Sequence, residues 1–218
     1  MWHNLLSLHR YLGIAVGLVV AAWCLSGVVM MYVPYPEFDG NDELRGLPAL
    51  NLARCCTITP HSGAQGALSS VQIIDQFVVE MSGSRLVLRL VTREQGAHHI
   101  DLADGEAIQE ISAAQAEQIA SAFQATLGID GDLEPRVIER DQWTVQGMYQ
   151  PHRPLYKFAA KDESSTEWYI SGKTGQVVQL TTGGQRFWNR LGAVVHWLYP
   201  TVLRQHAAAW NRTVVWAA

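Results

Sequence analysis

Cysteine is scarce in this chain, with three among 218 residues, and none of the three has the spacing of a zinc site. Spacings typical of a Ser-His-Asp triad, a Cys-His pair or a zinc metalloprotease are also missing. The acidic segments at 39–42 and 130–132 lack the register of a calcium loop and predict turns. The sequence therefore indicates no hydrolytic, zinc or calcium site.

The three cysteines differ in their surroundings. Cys24 lies within a long apolar run, which favours inert packing. Cys55 and Cys56 are adjacent, and three states stay open for them: a strained vicinal disulfide, two isolated thiols, or pairing with another chain.

Charge is absent from residues 11–33, where Ser26 is the one polar side chain apart from the aromatic residues. As a helix this run is about 34 Å long, enough to cross a hydrocarbon core of ~30 Å. A cleaved signal peptide would have a shorter apolar region and an Ala-x-Ala-like site, whereas this run ends in Met30-Met31-Tyr32-Val33-Pro34. The run therefore predicts a retained transmembrane helix.

Flanking charge predicts the orientation of this helix. Arg10 and the α-amino group precede it, and four acidic residues follow it before Arg45. The positive-inside rule puts residues 1–10 in the cytoplasm and the body outside. All 20 acidic residues lie between residues 34 and 186 with 12 of the 16 basic ones, a net charge of −8. The negative charge of this body argues against nucleic acid as a partner. The lipid bilayer is the expected partner.

The remaining pattern predicts an α+β body. Residues 34–66 are rich in Pro, Gly, Asn and Asp and predict a linker. A helix is expected from Ser112, with Gln115 at capping-box spacing, to Gly128. Alternating or β-branched segments predict strands at 71–74, 77–81, 85–91, 136–138, 143–145, 155–159, 167–170 and 177–180.

The body contains an internal repeat. Residues 85–108 and 153–178 both read as strand, loop, strand, glycine turn and strand, with an offset of 68 residues at the start and 70 at the end. Gly105 and Gly175 occupy the equivalent turns. Chance similarity between two antiparallel meanders is the alternative interpretation.

The C-terminal part becomes helical and aromatic from Phe187. Residues 187–199 predict an interfacial helix, because Trp and Tyr favour the bilayer surface, and Pro200 ends it. A further apolar pattern at 207–218 predicts the start of a truncated second transmembrane helix.

Three groups of motifs follow one another along the chain. They are Leu8-His9-Arg10-Tyr11-Leu12-Gly13 with the run to Leu25-Ser26-Gly27; Leu155-Tyr156-Lys157-Phe158, Glu167-Trp168-Tyr169-Ile170 and Gly175-Gln176-Val177-Val178; and Phe187-Trp188-Asn189-Arg190-Leu191-Gly192 with His196-Trp197. In this order they resemble the N-terminal portion of PepSY-associated transmembrane (PepSY-TM) proteins, including members similar to ferric-siderophore reductases.

The resemblance implies two PepSY-like units, each a helix packed on a small antiparallel sheet, at 67–111 and 112–182. It also implies a bacterial inner-membrane protein with most of its chain in the periplasm. The members similar to ferric-siderophore reductases use b-type haem to pass electrons from a donor to ferric iron in a siderophore. The family's later spans are missing here, so we expect neither a complete haem site nor ferric-reductase activity from this fragment alone.

His9 and His196 are the candidate haem ligands. A ligand must present a neutral imidazole with room for the macrocycle beside it. Gly13 and Gly17 lie one and two turns beyond His9, and Gly192 lies one turn before His196. The two histidines are expected near opposite membrane faces and would serve different haems. Alternatively, these glycines serve helix packing and both histidines are ordinary interfacial residues.

The other histidines have weaker claims. His98 and His99 are adjacent in a predicted strand, point to opposite faces and are expected to be solvated at a strand edge. His61, His152 and His206 are isolated, and no metal role is expected for them.

Two functions from different classes remain. One is a haem-dependent membrane electron-transfer subunit. The other is a non-catalytic periplasmic module that regulates or inhibits a partner protein such as a peptidase, because PepSY domains also occur in protease propeptides.

Overall fold

The computed structural model describes residues 2–52, 74–93 and 96–217. The chain forms two compact units. The helical unit comprises Met1–Pro36, Asp141–Gln146 and Thr181–Ala218, and the sheet unit comprises Glu37–Arg140 and Gly147–Leu180. Together they contain a long apolar helix, antiparallel sheets and C-terminal helices, which confirms the predicted α+β class.

The first helix, α1, spans Trp2–Tyr32. Its 31 residues make it long and apolar enough to cross a membrane, and among the described residues it is the one helix with these properties. An N-terminal signal sequence would have the same properties. Ser26 is the buried residue of α1, and most of its large apolar side chains are exposed, as a lipid-facing helix requires.

The sheet unit begins with a short helix, α2, at Gly40–Gly46. Asp39 is its N-cap and accepts hydrogen bonds from the backbone N–H groups of Asn41 and Asp42. The predicted turn at 39–42 is therefore wrong, because the acidic side chains form a capping box instead. The predicted linker at 34–66 likewise contains this helix.

A three-stranded antiparallel sheet follows, in the order β1-β2-β3. Its strands are β1 at Ile74–Ser82, β2 at Arg85–Thr92 and β3 at Gly96–Asp101. One face buries a small apolar cluster of Met81, Leu86 and Leu102. The alternation of apolar and polar residues along β2 thus gives the sheet one apolar and one polar face.

The second half of the sheet unit is a helix packed on a four-stranded sheet. Helix α3 spans Ala113–Leu127, with the capping box of Ser112 and Gln115 at its start and Gly128 in the left-handed conformation at its end. Its buried face packs on Phe158, Trp168 and Ile170. The sheet has the order β4-β5-β6-β7, with strands at Leu133–Ile138, Leu155–Ala160, Glu167–Ser171 and Val177–Thr181.

The predicted strand at 143–145 is wrong. Residues 141–146 form turns in the helical unit, where Asp141 accepts hydrogen bonds from the backbone N–H of Trp143 and the hydroxyl of Thr144. This local side-chain bonding competes with strand pairing, as is usual for Asp and Thr.

The internal repeat corresponds to two equivalent turns. The N–H of Gly105 donates to the carbonyl of Asp101, and the N–H of Gly175 donates to the carbonyl of Ser171, at 2.8 and 2.9 Å. Both glycines have a positive φ, 79° and 76°, which other residues rarely adopt. The matching geometry accounts for the 70-residue offset at this point of the sequence.

The chain ends in four helices of the helical unit. They are α4 at Gly183–Leu191, α5 at Ala193–His196, α6 at Thr201–Arg204 and α7 at Ala207–Ala217. The single helix predicted at 187–199 is therefore wrong in its bounds. Thr182 and Gln185 cap an earlier start, and the backbone of Gly192 leaves the helical conformation.

Candidate functional site

The imidazole of His196 lies against α1. Its ring stacks on the indole of Trp23, with centroids 5.1 Å apart and an interplanar angle of 17°. The indole Nε1 of Trp23 also donates a hydrogen bond to the His196 carbonyl, at 3.2 Å. Helix α5 thus places His196 against Trp23, Ser26 and Gly27, in the second half of the apolar run.

The hydrogen bonds of His196 determine its tautomer. Nδ1 is 3.1 Å from the Trp23 carbonyl and 3.2 Å from the Ser26 hydroxyl. A carbonyl can only accept, and the Ser26 hydroxyl already donates to the same carbonyl at 2.8 Å. Nδ1 therefore carries the proton, and Nε2 carries the lone pair. None of the described residues donates a hydrogen bond to Nε2.

Two glycines let these helices approach closely. A Cβ at Gly27 would lie 3.1 Å from the His196 ring, and a Cβ at Gly192 would lie 3.0 Å from Val29. Gly192 was predicted for helix packing or haem clearance, and its surroundings are those of helix packing. The sequence interpretation missed Trp23, Ser26 and Gly27. A single serine in an apolar run was the available signal for them.

The other predicted site residues on α1 lie far from His196. His9 is exposed, and a Cβ on Gly13 or Gly17 would meet no atom of the described residues within 4 Å. At 1.5 Å per residue, His9 lies about 21 Å along α1 from Trp23. The two histidines therefore lie apart, and their service to different haems stays a prediction.

An aromatic cluster surrounds the last turn of α1 and the segment that follows it. The Tyr35 ring lies within 6.1 Å of the rings of Trp143, Trp197 and Tyr199. Its hydroxyl donates to the Gln142 carbonyl at 2.8 Å. Arginines cover the cluster, with Arg190 over Trp143 and Arg204 over Tyr199 and Trp210. Such aromatic and cationic side chains are typical of a bilayer interface.

A second polar constellation lies in the sheet unit. Arg89 donates two hydrogen bonds to Glu43, at 3.1 and 3.2 Å, and its Nη2 is 3.0 Å from Glu80. Gln176 donates to Glu43 at 2.7 Å. Burial raises the pKa of Glu80 to about 7, with the Glu43 charge adding to the increase and Arg89 opposing it.

His99 joins this constellation. It is 3% exposed, and neither ring nitrogen has a hydrogen-bond partner among the described residues. Burial, followed by the charge of Arg89, lowers the pKa of His99 to about 4. The expected solvated strand edge is wrong for His99, because the polar face of β1–β3 is covered. The described residues contain no group of three potential ligands that could hold a metal ion.

The remaining candidates are quickly placed. Cys24 is a free, exposed thiol on α1. Cys55, Cys56 and His61 lie outside the described residues.

Comparisons with protein-family models, curated proteins and solved structures find no significant match to the chain.

Proposed function

We propose that this chain is the N-terminal part of a PepSY-TM-like electron-transfer protein that binds b-type haem through His196. The observation that carries the proposal is the contact between Nδ1 of His196 and the Trp23 carbonyl, which assigns the ring proton to Nδ1. Metal-bound histidines usually donate one ring N–H to a carbonyl or similar group, which orients the other nitrogen toward the metal. The Trp23 carbonyl and Ser26 do this for Nδ1 and leave Nε2 as the ligand atom.

The surroundings of His196 fit a haem ligand in two further respects. The stacked indole of Trp23 holds the ring plane, so Nε2 has a defined direction. The absence of a side chain at Gly27 keeps the ring from being displaced. Haem b, when bound, carries single electrons. The chain's own residues orient the imidazole and keep Nδ1 protonated.

The wider function rests on the same proposal. We place α1 across the bacterial inner membrane with the sheet unit in the periplasm and His9 near the cytoplasmic side. His9 would then serve a second haem, and electrons would pass outward from a donor to ferric iron or a siderophore. Each haem would also need a further histidine to hold it.

One observation favours the alternative of a regulatory PepSY module. The sheet unit makes up most of the chain. A periplasmic module of this kind would bind a partner protein such as a peptidase and would perform no redox chemistry.

A spectrum separates the two functions. The full-length protein is purified in detergent, and its haem content and reduced-minus-oxidised spectrum are recorded. We expect a b-type spectrum whose amplitude is lower in His196→Ala and in His9→Ala. The two substitutions should each remove a different haem. Ser26→Ala should shift the haem potential with less loss of haem, because the Trp23 carbonyl still accepts from Nδ1. His206→Ala, at an exposed position, is the matched control. Wild-type protein without haem would overturn the proposal and leave the regulatory module.

A further inference from the structure

The polar face of the first sheet brings three charged residues of different elements together. Arg89 on β2 is opposite His99 on β3 and Val78 on β1, and Glu80 lies two residues along from Val78 on the same face. Glu43 reaches this face from α2. The charged groups therefore join α2 to the sheet.

The guanidinium of Arg89 is shared unequally between Glu43 and Glu80. Glu43 receives a bidentate pair of hydrogen bonds from Arg89 and a third hydrogen bond from Gln176. Glu80 lies 3.0 Å from Nη2 of the same guanidinium, but its Oε2 forms no hydrogen bond with any of the described residues. Two buried carboxylates next to one cation leave an excess negative charge, which a single proton would neutralise.

The other charged groups near Glu80 do not neutralise this excess negative charge. Arg85 is paired with Asp101, 3.8 Å away on the same face. His99 is kept neutral by its burial, and burial also lowers the pKa of His152. The proton is thus expected on a carboxyl group, and Glu80 is the less well hydrogen-bonded of the two.

The space beside Glu80 is small. The cavity lined by Glu43, Glu80, His99 and Gln176 has a volume of about 10 Å³, room for about one water molecule. Glu80 can therefore exchange a proton with water at this point.

We propose that Glu43, Glu80 and Arg89 form a proton-dependent clasp that holds α2 on the first sheet. With a proton on Glu80, Arg89 and Glu43 are a balanced pair and the clasp is closed. When Glu80 loses the proton, its carboxylate competes with Glu43 for Arg89 and α2 loosens. This proposal concerns the sheet unit and is independent of haem binding.

The test follows the Glu80 carboxyl by infrared spectroscopy in the full chain in detergent between pH 5 and 9. We expect one protonated carboxyl band that disappears around neutral pH and is missing in Glu80→Gln. Glu117→Gln, at an exposed position of α3, is the control and should leave the band unchanged. In Glu43→Gln the pH midpoint of the Glu80 band should fall, because Arg89 then pairs with Glu80 alone.

Amide hydrogen exchange of α2 supplies the second readout. After correction for the intrinsic pH dependence, exchange of residues 43–46 should be at least severalfold faster at pH 9 than at pH 5 in the wild type, and equally slow at both in Glu80→Gln. Any of three results would overturn the clasp. They are a pH midpoint for Glu80 in the ordinary range of a glutamate, a midpoint unchanged in Glu43→Gln, and amide exchange of residues 43–46 that does not depend on pH.

Discussion

The carbonyl oxygen of Trp23 lies 3.1 Å from Nδ1 of His196, 173 positions further along the chain. This contact joins α1 to α5 and assigns the ring proton to Nδ1. An apolar transmembrane segment offers few such acceptors, because its carbonyls are used within the helix. The Trp23 carbonyl is nevertheless approached by two side chains, those of His196 and Ser26.

Gly27→Val should displace the imidazole from this position. The added side chain would begin 3.1 Å from the His196 ring, and we expect a loss of about 1–3 kcal/mol in the docking of α5 on α1. Near-ultraviolet circular dichroism of the tryptophans should weaken as the Trp23 stack is lost, and the thermal midpoint should fall. Gly17→Val on the same helix is the control, because a Cβ there meets no described atom within 4 Å. Equal effects of both substitutions would contradict the close contact.

Gly46→Ala should destabilise the sheet unit. A Cβ at this position would overlap the ring of Phe123, which is 1% exposed on the buried face of α3. Because the buried ring has little room to move, we expect a cost of about 1–3 kcal/mol. Gly40→Ala in the same helix meets no described atom within 4 Å and should be close to neutral. Denaturant unfolding of the two variants in detergent measures the difference.

Glu80→Gln should change how stability depends on pH. The pKa of Glu80 is raised in the folded state from 4.5 to about 7, so its contribution is fully present below about pH 4.5 and is lost as the pH rises through 7. The size of that loss is about 3 kcal/mol. His99 acts in the opposite sense, because its pKa is lowered: its contribution is present above about pH 6.5 and is lost as the pH falls toward 4.

The two slopes oppose each other between pH 4.5 and 6.5, so the contributions of Glu80 and His99 should largely cancel there. Glu80→Gln removes one slope, and its stability should rise with pH over this interval and stay level above it. Urea unfolding of the full chain at half-unit pH steps measures both curves. Parallel curves for wild type and variant would show that Glu80 titrates normally.

A reporter fused after Val33 should be active only outside the cytoplasm. The basic flank, Arg10, lies in α1 directly before the uncharged residues 11–33, and acidic residues follow α1. Exchanging these flanks by Arg10→Gln with Glu37→Arg should lower the active fraction. A reporter active in the cytoplasm would place the sheet unit in that compartment.

Local features of the sequence determined much of the secondary structure. The uncharged run at residues 11–33 predicted most of α1, because a helix of this length without charge suits a hydrocarbon environment better than water. Ser112, Gln115 and Gly128 determined both ends of α3, because caps bond to backbone within a few residues. Gly105 and Gly175 likewise marked the repeated turns, because glycine adopts a positive φ without steric cost.

Only the tertiary structure decided which of these elements meet. The tautomer of His196 depends on Trp23 and Ser26, and the protonation of Glu80 depends on its burial, on Arg89 and on Glu43. Glu80 and Arg89 lie on neighbouring strands, but the other partners are separated by tens of residues or more, and sequence periodicity carries no information on pairs that distant. Burial and charge act through space, so the chemistry of both constellations arises only when the helices and strands are packed together.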